Sequence, residues 1–351
     1  MNLLILGGTR FLGRHLAQLA LEAGHQVTLL HRGRSNAALF PEAEHLIADR
    51  DQPAALAAAL HSVDTGWDAA IDTSAYFPRQ VRQVAALLGD RVGQYQLVSS
   101  ISVYAGFDTL ATDESAPRLA LDEAEATAVT GAITSENYGG LKALCEDAAF
   151  EGFGERCLVS RPGLLVGPHD PTGRFTWWVE RFARAAADAT QAEVLAPGDP
   201  LGPVQCIDAR DAAAWMLHQA EARTGGACNL TGPETPLTMA EFLALAQQTL
   251  APASRLCWVD EAFLLAQGVA PWSDLPVWLP AASSGMHRID IGRALTTGLQ
   301  CRPLAVTLAD TAAWAAEQGG APTQPPGAPA RPPVGLAPER EAALRTAGLA
   351  C

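Results

Sequence analysis

The first 165 residues alternate short apolar runs with Ala- and Leu-rich helical stretches, and this alternation restricts the possible folds more than any other feature. Leu3–Leu6, Gln26–His31, His45–Ala48, Asp68–Asp72, Tyr95–Ser99 and Cys157–Arg161 have the length and composition of buried strands. Arg14–Glu22, Pro53–His61, Arg79–Leu88 and Ser135–Glu151 carry the helices between them. Strand followed by helix, repeated, requires right-handed crossovers between parallel strands. The expected fold class is α/β, a doubly wound parallel sheet with helices on both faces.

Beyond about residue 165 the rhythm gives way to longer loops, clustered Trp and Pro, and helices that need a partner surface. Thr238-x-x-Glu241 is a capping box that opens a helix running to Leu250, and Thr307–Glu317 reads as another. Six prolines from Pro322 to Pro333 describe an extended linker leading to an amphipathic tail, Pro338–Thr346. The expected division is a sheet domain over 1–165, with a later segment near 203–230 available to its sheet. A smaller α-rich substrate region over 166–318, a linker over 319–336 and a helical tail over 337–351 follow.

Composition narrows the partners. Apolar residues make up 48% of the 351 positions and charged residues 18%, with no apolar run long enough to span a bilayer. The net charge of −14 repels phosphate backbones and anionic lipid, so neither nucleic acid nor membrane is an expected partner. Seven cysteines, odd in number and without a Cys-x-x-Cys pair, read as reduced thiols. Met1-Asn2 leads straight into an apolar strand with no export leader, and the expected location is cytoplasmic. His169 has no second His or Cys at ligand spacing, so no metal is expected.

Gly7-Gly8-Thr9-Arg10-Phe11-Leu12-Gly13 follows the first strand and precedes the first helix. That is the context of a dinucleotide-binding turn, in which glycines let backbone N–H groups approach a pyrophosphate at a helix N-terminus. Arg10 stands where the middle glycine of the usual pattern would be, and its side chain is expected to face a phosphate. The second strand ends in His31-Arg32-Gly33-Arg34-Ser35, a cofactor-binding position where NAD sites usually offer a carboxylate to the ribose 2′-OH. Arg32, helped by Arg34 or Ser35, suits a 2′-phosphate instead, which favours NADP(H) and leaves NAD(H) possible. Asp49-Arg50 lies where the adenine would rest.

Among 24 basic residues 23 are arginine and one, Lys142, is lysine. It stands four residues after Tyr138, and with four tyrosines in the chain chance placement gives that spacing about 1% of the time. Positions i and i+4 share a helix face, so the phenol and the ammonium are expected to lean toward one point. The ammonium would lower the Tyr138 pKa and hold ribose hydroxyls, while Ser100, at the end of the fifth strand, would hold a substrate oxygen.

The glycine loop, Ser99-Ser100-Ile101-Ser102-Val103-Tyr104, Tyr138-x-x-x-Lys142 and Arg161-Pro162-Gly163-Leu164-Leu165-Val166-Gly167-Pro168 together resemble the extended short-chain dehydrogenase/reductases, also called the NAD-dependent epimerase/dehydratase family. The resemblance spans roughly residues 1–315. It implies a Rossmann domain with Ser100, Tyr138 and Lys142 as catalytic triad and Pro162, Gly163 and Leu165 beside the nicotinamide. Ser74, Ala75, Tyr76 and Ser99 would lie along the cofactor. Arg10 looks like the subgroup labelled isoflavone-reductase-like, whose members include chloroplast RNA-binding relatives. Extended members often dimerise through two Rossmann helices, so a homodimer is possible.

On the substrate side, Trp177 and Trp178 either stack on a flat substrate or anchor a helix to the core. Tyr104, His169 and Arg174 complete the candidate substrate residues. Asp208 and Asp211 are expected to cap a helix and pair with Arg210. The leading expectation is an NAD(P)-dependent reductase or dehydrogenase acting on a carbonyl or alcohol of a small molecule. A nucleotide-sugar epimerase or dehydratase with retained NAD is the alternative, and a non-catalytic NADP-sensing or RNA-binding relative is a second one.

Overall fold

The computed structural model describes residues 1–107, 111–129, 133–319 and 334–348. Strands β1 (Asn2–Leu6), β2 (Gln26–His31), β3 (Glu44–Ile47), β4 (Trp67–Asp72), β5 (Val92–Val98) and β6 (Cys157–Pro162) join Gly226–Leu230 in a seven-stranded sheet. From one edge the order is Gly226–Leu230, β6, β5, β4, β1, β2, β3, and every pairing is parallel. The fold is the α/β class expected. The order reverses between β1 and β4, the place where open parallel sheets leave a crevice beyond the strand ends.

Side-chain alternation covers both faces of this sheet. Leu3 and Ile5 enter one apolar layer with Leu12, Leu16 and Ala20 of α1 (Phe11–Glu22). Leu4 and Leu6 enter the other, with Leu56 of α2 (Pro53–His61) and Val81 and Val84 of α3 (Pro78–Leu88). The short α4 (Glu123–Ala128) precedes α5 (Ser135–Phe153), which packs on α3 and buries Cys145 and Ala149 in that second layer. Leu6 is level with Leu30 and Asp72, Asp72 with Leu97, and Val98 with Ser160. The strands' carboxyl ends therefore share one rim, and the segments that follow them are neighbours.

A second core lies beyond the sheet. It gathers Phe175, Trp178 and Phe182 of α6 (Arg174–Ala187) with Phe242 and Leu243 of α8 (Met239–Leu250) and Leu308 of the helix Leu304–Gln318. Between these in sequence, α7 (Ala209–Ala222) packs back on α1. Thr238 and Glu241 form the expected capping box at α8, and Asp208 caps α7 while pairing with Arg210 at 2.7 Å. Among the described residues no helix is long and apolar enough to cross a membrane.

Residues 320–333, the heart of the expected linker, lie outside the described residues. After them, Leu336 and Leu344 enter the second core, and the helix Pro338–Gly348 inserts Glu341 beside Arg181. That ion pair measures 2.6 Å with both side chains buried, and Glu341 also accepts the Leu195 N–H at 3.0 Å. Removing one partner of a buried pair strands the other charge. Glu341→Ala should therefore lose about 3 kcal/mol of stability in urea unfolding. An unchanged midpoint would mean that the tail is not seated.

Candidate active site

Ser100 leaves β5 extended and caps the short turn Ile101–Val103, its Oγ accepting from the Ser102 N–H at 3.1 Å. Tyr138 stands in the first turn of α5, which Thr134 and Asn137 start with a capping box. Ser100 lies near enough to its hydroxyl to act on its pKa, while Ser100 Oγ itself donates to Ser102 Oγ at 3.1 Å. Burial raises the phenol above its ordinary value, and nearby Ser100 offsets only part of that. The group keeps its proton throughout the neutral range.

Two glycines let α5 pack closely on its surroundings here. A Cβ on Gly139 would fall 2.1 Å from the Ser102 carbonyl oxygen, and one on Gly140 2.7 Å from Leu121 Cβ. Gly139 thus lets the helix approach the turn that follows Ser100, and Gly140 lets it approach the segment before α4. The Tyr-Gly-Gly-Leu-Lys run carried that signal, which pairwise reading of the tyrosine and lysine passes over.

Lys142 differs from expectation. Its Nζ donates to the carbonyls of Ala75 and Val98, each at 2.7 Å, and not to Tyr138. A buried ammonium must find acceptors, and the last carbonyl of β5 and one from the turn after β4 lie within its reach. In this state the shift of Tyr138 comes from burial and not from a neighbouring cation.

The glycine loop fits an anion. The α1 N-terminus has no side-chain cap and no acidic residue in its first turn, so its N–H groups face outward unmatched by a carboxylate. Gly7 holds φ +114°, and Gly13 is packed so tightly that an added Cβ would lie 3.1 Å from Gly8 Cα. Thr9 is buried with its carbonyl accepting from Asn36 Nδ2 at 3.0 Å, and Arg10 is exposed at the N-cap. Phe11 and Leu12 open the helix, Phe11 at φ +39°. Beyond β2, Arg32 and Arg34 are exposed, Arg34 is 3.7 Å from Asp49, and Ser35 is half-buried. These are the donors and the open helix end that a dinucleotide's phosphates require.

A family model described as the NAD dependent epimerase/dehydratase family matches residues 3–230. The chain belongs to the NAD-dependent epimerase/dehydratase family. Its fold is similar to UDP-glucose 4-epimerase of Thermotoga maritima, solved with UDP-glucose (TM-score 0.63, 16% identity, 91% of this chain and 99% of that one). It is equally similar to UDP-glucuronic acid 4-epimerase of Bacillus cereus, solved with NAD (TM-score 0.63, 13% identity, 90% and 96%). The chloroplast stem-loop binding protein of 41 kDa b from Arabidopsis thaliana is 31% identical over 122 residues, 31% of this chain and 32% of that protein. The match thus spans about a third of that curated relative's length.

Within the epimerase/dehydratase fold of this chain, several residues expected at the site point inward instead. Arg50 forms a bidentate pair with buried Asp72 at 2.7 and 2.8 Å and donates to Ser74 Oγ at 2.9 Å. Burial opposes ionisation of Asp72, yet Arg50 holds its carboxyl below the usual range. Ser99 donates to Glu146 at 2.6 Å, and Tyr104 donates to Asn229 at 2.5 Å while accepting from Arg161. His31 is buried against His45 at 2.8 Å. Trp177 and Trp178 take the second of their two readings, buried in the second core with Trp178 Nε1 donating to Pro276 O at 2.6 Å. Arg174 starts α6 with its guanidinium 5.6 Å from the Trp272 ring.

Others reach the rim. Pro162 closes β6, the Gly163 N–H is taken by Leu230 O at 3.1 Å, and Leu165 pairs with Ile207. Tyr76 is half-exposed, its ring centroid 6.4 Å from that of Tyr138. His169, at φ +69°, lines an open cavity of about 500 Å³ with Arg14, Asn36 and Trp314, none of which belongs to the serine–tyrosine–lysine group. Burial first, then the charge of Arg14, pulls its imidazole down to about 4.

The close approach at Gly139 is testable. Gly139→Ala should cost about 2 kcal/mol through overpacking and separate Tyr138 from Ser100. A thermal melt identical to that of the parent protein would show that the helix shifts freely.

Proposed function

We propose that this chain is an NADP-dependent oxidoreductase that interconverts a carbonyl and an alcohol on a small molecule. The approach of Tyr138 to Ser100 at the sheet rim, on the helix that also carries buried Lys142, carries the reading. When bound, the dinucleotide supplies or accepts the hydride. The rest is the work of this chain's own groups. Ser100 Oγ orients the substrate oxygen, and the Tyr138 hydroxyl, protonated at neutral pH, donates to that oxygen as negative charge gathers on it.

The α1 N-terminus and Arg10 would hold the pyrophosphate, and Arg32 the 2′-phosphate. Arg32 is exposed with no hydrogen bond among the described residues, and residues 32–36 after β2 contain no carboxylate, the neighbouring Asp49 facing Arg34 at 3.7 Å. Both facts support NADP over NAD. Tyr138→Phe should lower turnover about 10²- to 10⁴-fold while cofactor affinity stays nearly intact, read by steady-state kinetics and dinucleotide titration. Normal turnover in that variant would remove Tyr138 from the chemistry.

A nucleotide-sugar epimerase that retains NAD is the second reading, supported by the similar folds of the Thermotoga and Bacillus enzymes. The isolated protein separates the two. An apo protein that prefers NADPH, with the preference lost about 10- to 100-fold in Arg32→Glu, supports the reductase. NAD carried through purification, with no selectivity change in Arg32→Glu, supports the epimerase. The name of the chloroplast relative raises stem-loop binding, which the −14 charge opposes. Tight, salt-sensitive binding of a stem-loop RNA would favour it.

A further inference from the structure

Lys142 is enclosed on all three sides of its ammonium. Ala75 O and Val98 O take two N–H groups at 2.7 Å each, and the Tyr76 ring covers the remaining side, its centroid 5.0 Å from Nζ. The lysine is 3% exposed, whereas Tyr76 is 44% exposed. Ala75 and Tyr76 are consecutive, so one turn between β4 and α3 grips the lysine twice, by a carbonyl and by a ring. The Tyr76 ring also stands 6.4 Å from the Tyr138 ring. Any ligand oxygen that is to accept from Lys142 must therefore come in from the side that Tyr76 occupies.

We propose that Tyr76 is a gating and positioning residue, whose ring caps Lys142 in the free protein and swings aside when a ribose diol of a dinucleotide takes the third N–H. The proposal rests on the reading of Lys142 as a cofactor-facing residue. Its energetics are favourable in sign. A cation–π contact at a half-exposed ring is weaker than a charge-assisted hydrogen bond, so the diol displaces the ring. The two carbonyls keep the ammonium in place throughout, so the exchange moves one side chain and leaves the lysine where it is.

That Lys142 is the chain's only lysine provides the measurement. An amine-acylating reagent followed by peptide mapping reads the accessibility of that single side chain. Tyr76→Ala should raise the Lys142 acylation rate about two- to fivefold and tighten NADPH or NADH binding by a similar factor. Tyr76→Phe, which keeps the π face, should restore both parent values, and Tyr76→Leu, which keeps bulk without the face, should behave like Tyr76→Ala if the ring's quadrupole holds the cap. Equal acylation rates in the parent, alanine and leucine proteins would overturn the cap. Faster acylation in Tyr76→Ala with no slowing by either dinucleotide would leave the cap standing and overturn the opening to a ribose, along with the cofactor role of Lys142. Circular dichroism of each variant confirms that the folded state is what reacts.

Discussion

The carboxylate of Glu146 holds the rim together. It is fully buried and accepts four bonds, two on each oxygen: Ser99 at 2.6 Å and Arg161 Nε at 3.0 Å on Oε1, Arg161 Nη2 at 2.7 Å and Arg118 Nη1 at 3.1 Å on Oε2. A charge with that many donors is compensated where it would otherwise be prohibitive. Its partners sit just past the end of β5, on β6 and in the segment before α4, and it lies four residues after Lys142 and eight after Tyr138 on one helix. Through this group the helix that carries the tyrosine and the strand end that carries Ser100 are set at a fixed separation. Arg161 extends the set to Tyr104, and Tyr104 to Asn229 on the edge strand.

The sheet was legible because it is written in local terms. Runs such as Gln26–His31 and Pro53–His61 coincide with the observed elements, since apolar period and proline placement act within a few residues. The α8 capping box was legible for the same reason. What escaped were contacts between distant positions. Arg50 reads as a loop arginine until β3 and β4 are placed so that Asp72 lies beneath it, and Ser99 reads as Ser100's twin until α5 delivers Glu146. Adjacent tryptophans on α6 have the same sequence whether they face a ligand or Phe242, and packing alone decides.

His31 shows how a residue in the right place can have another task. Its Nδ1 accepts the Gly33 N–H at 3.1 Å, so its Nε2 carries the hydrogen that His45 Nδ1 accepts, and His45 Nε2 in turn donates to Phe40 O. The tautomers of both rings follow from the backbone groups at either end. Burial and the second ring both lower the His31 pKa, in keeping with a chain that has no acceptor for another proton. The pair fixes the turn that displays Arg32 without touching a ligand itself.

The docking of Glu341 on Arg181 has a consequence for the order in which the molecule is completed. The edge strand of the sheet comes from residues 226–230, after α6 and α7, and the second core takes Leu336, Glu341 and Leu344 from the tail. Neither half closes on a contiguous stretch of chain. During synthesis from the amino end, Arg181 is made some 160 residues before its partner and stays without it until the tail leaves the ribosome. Any nascent chain shorter than that displays an unfinished core, a form that chaperones and proteases can tell from the finished protein.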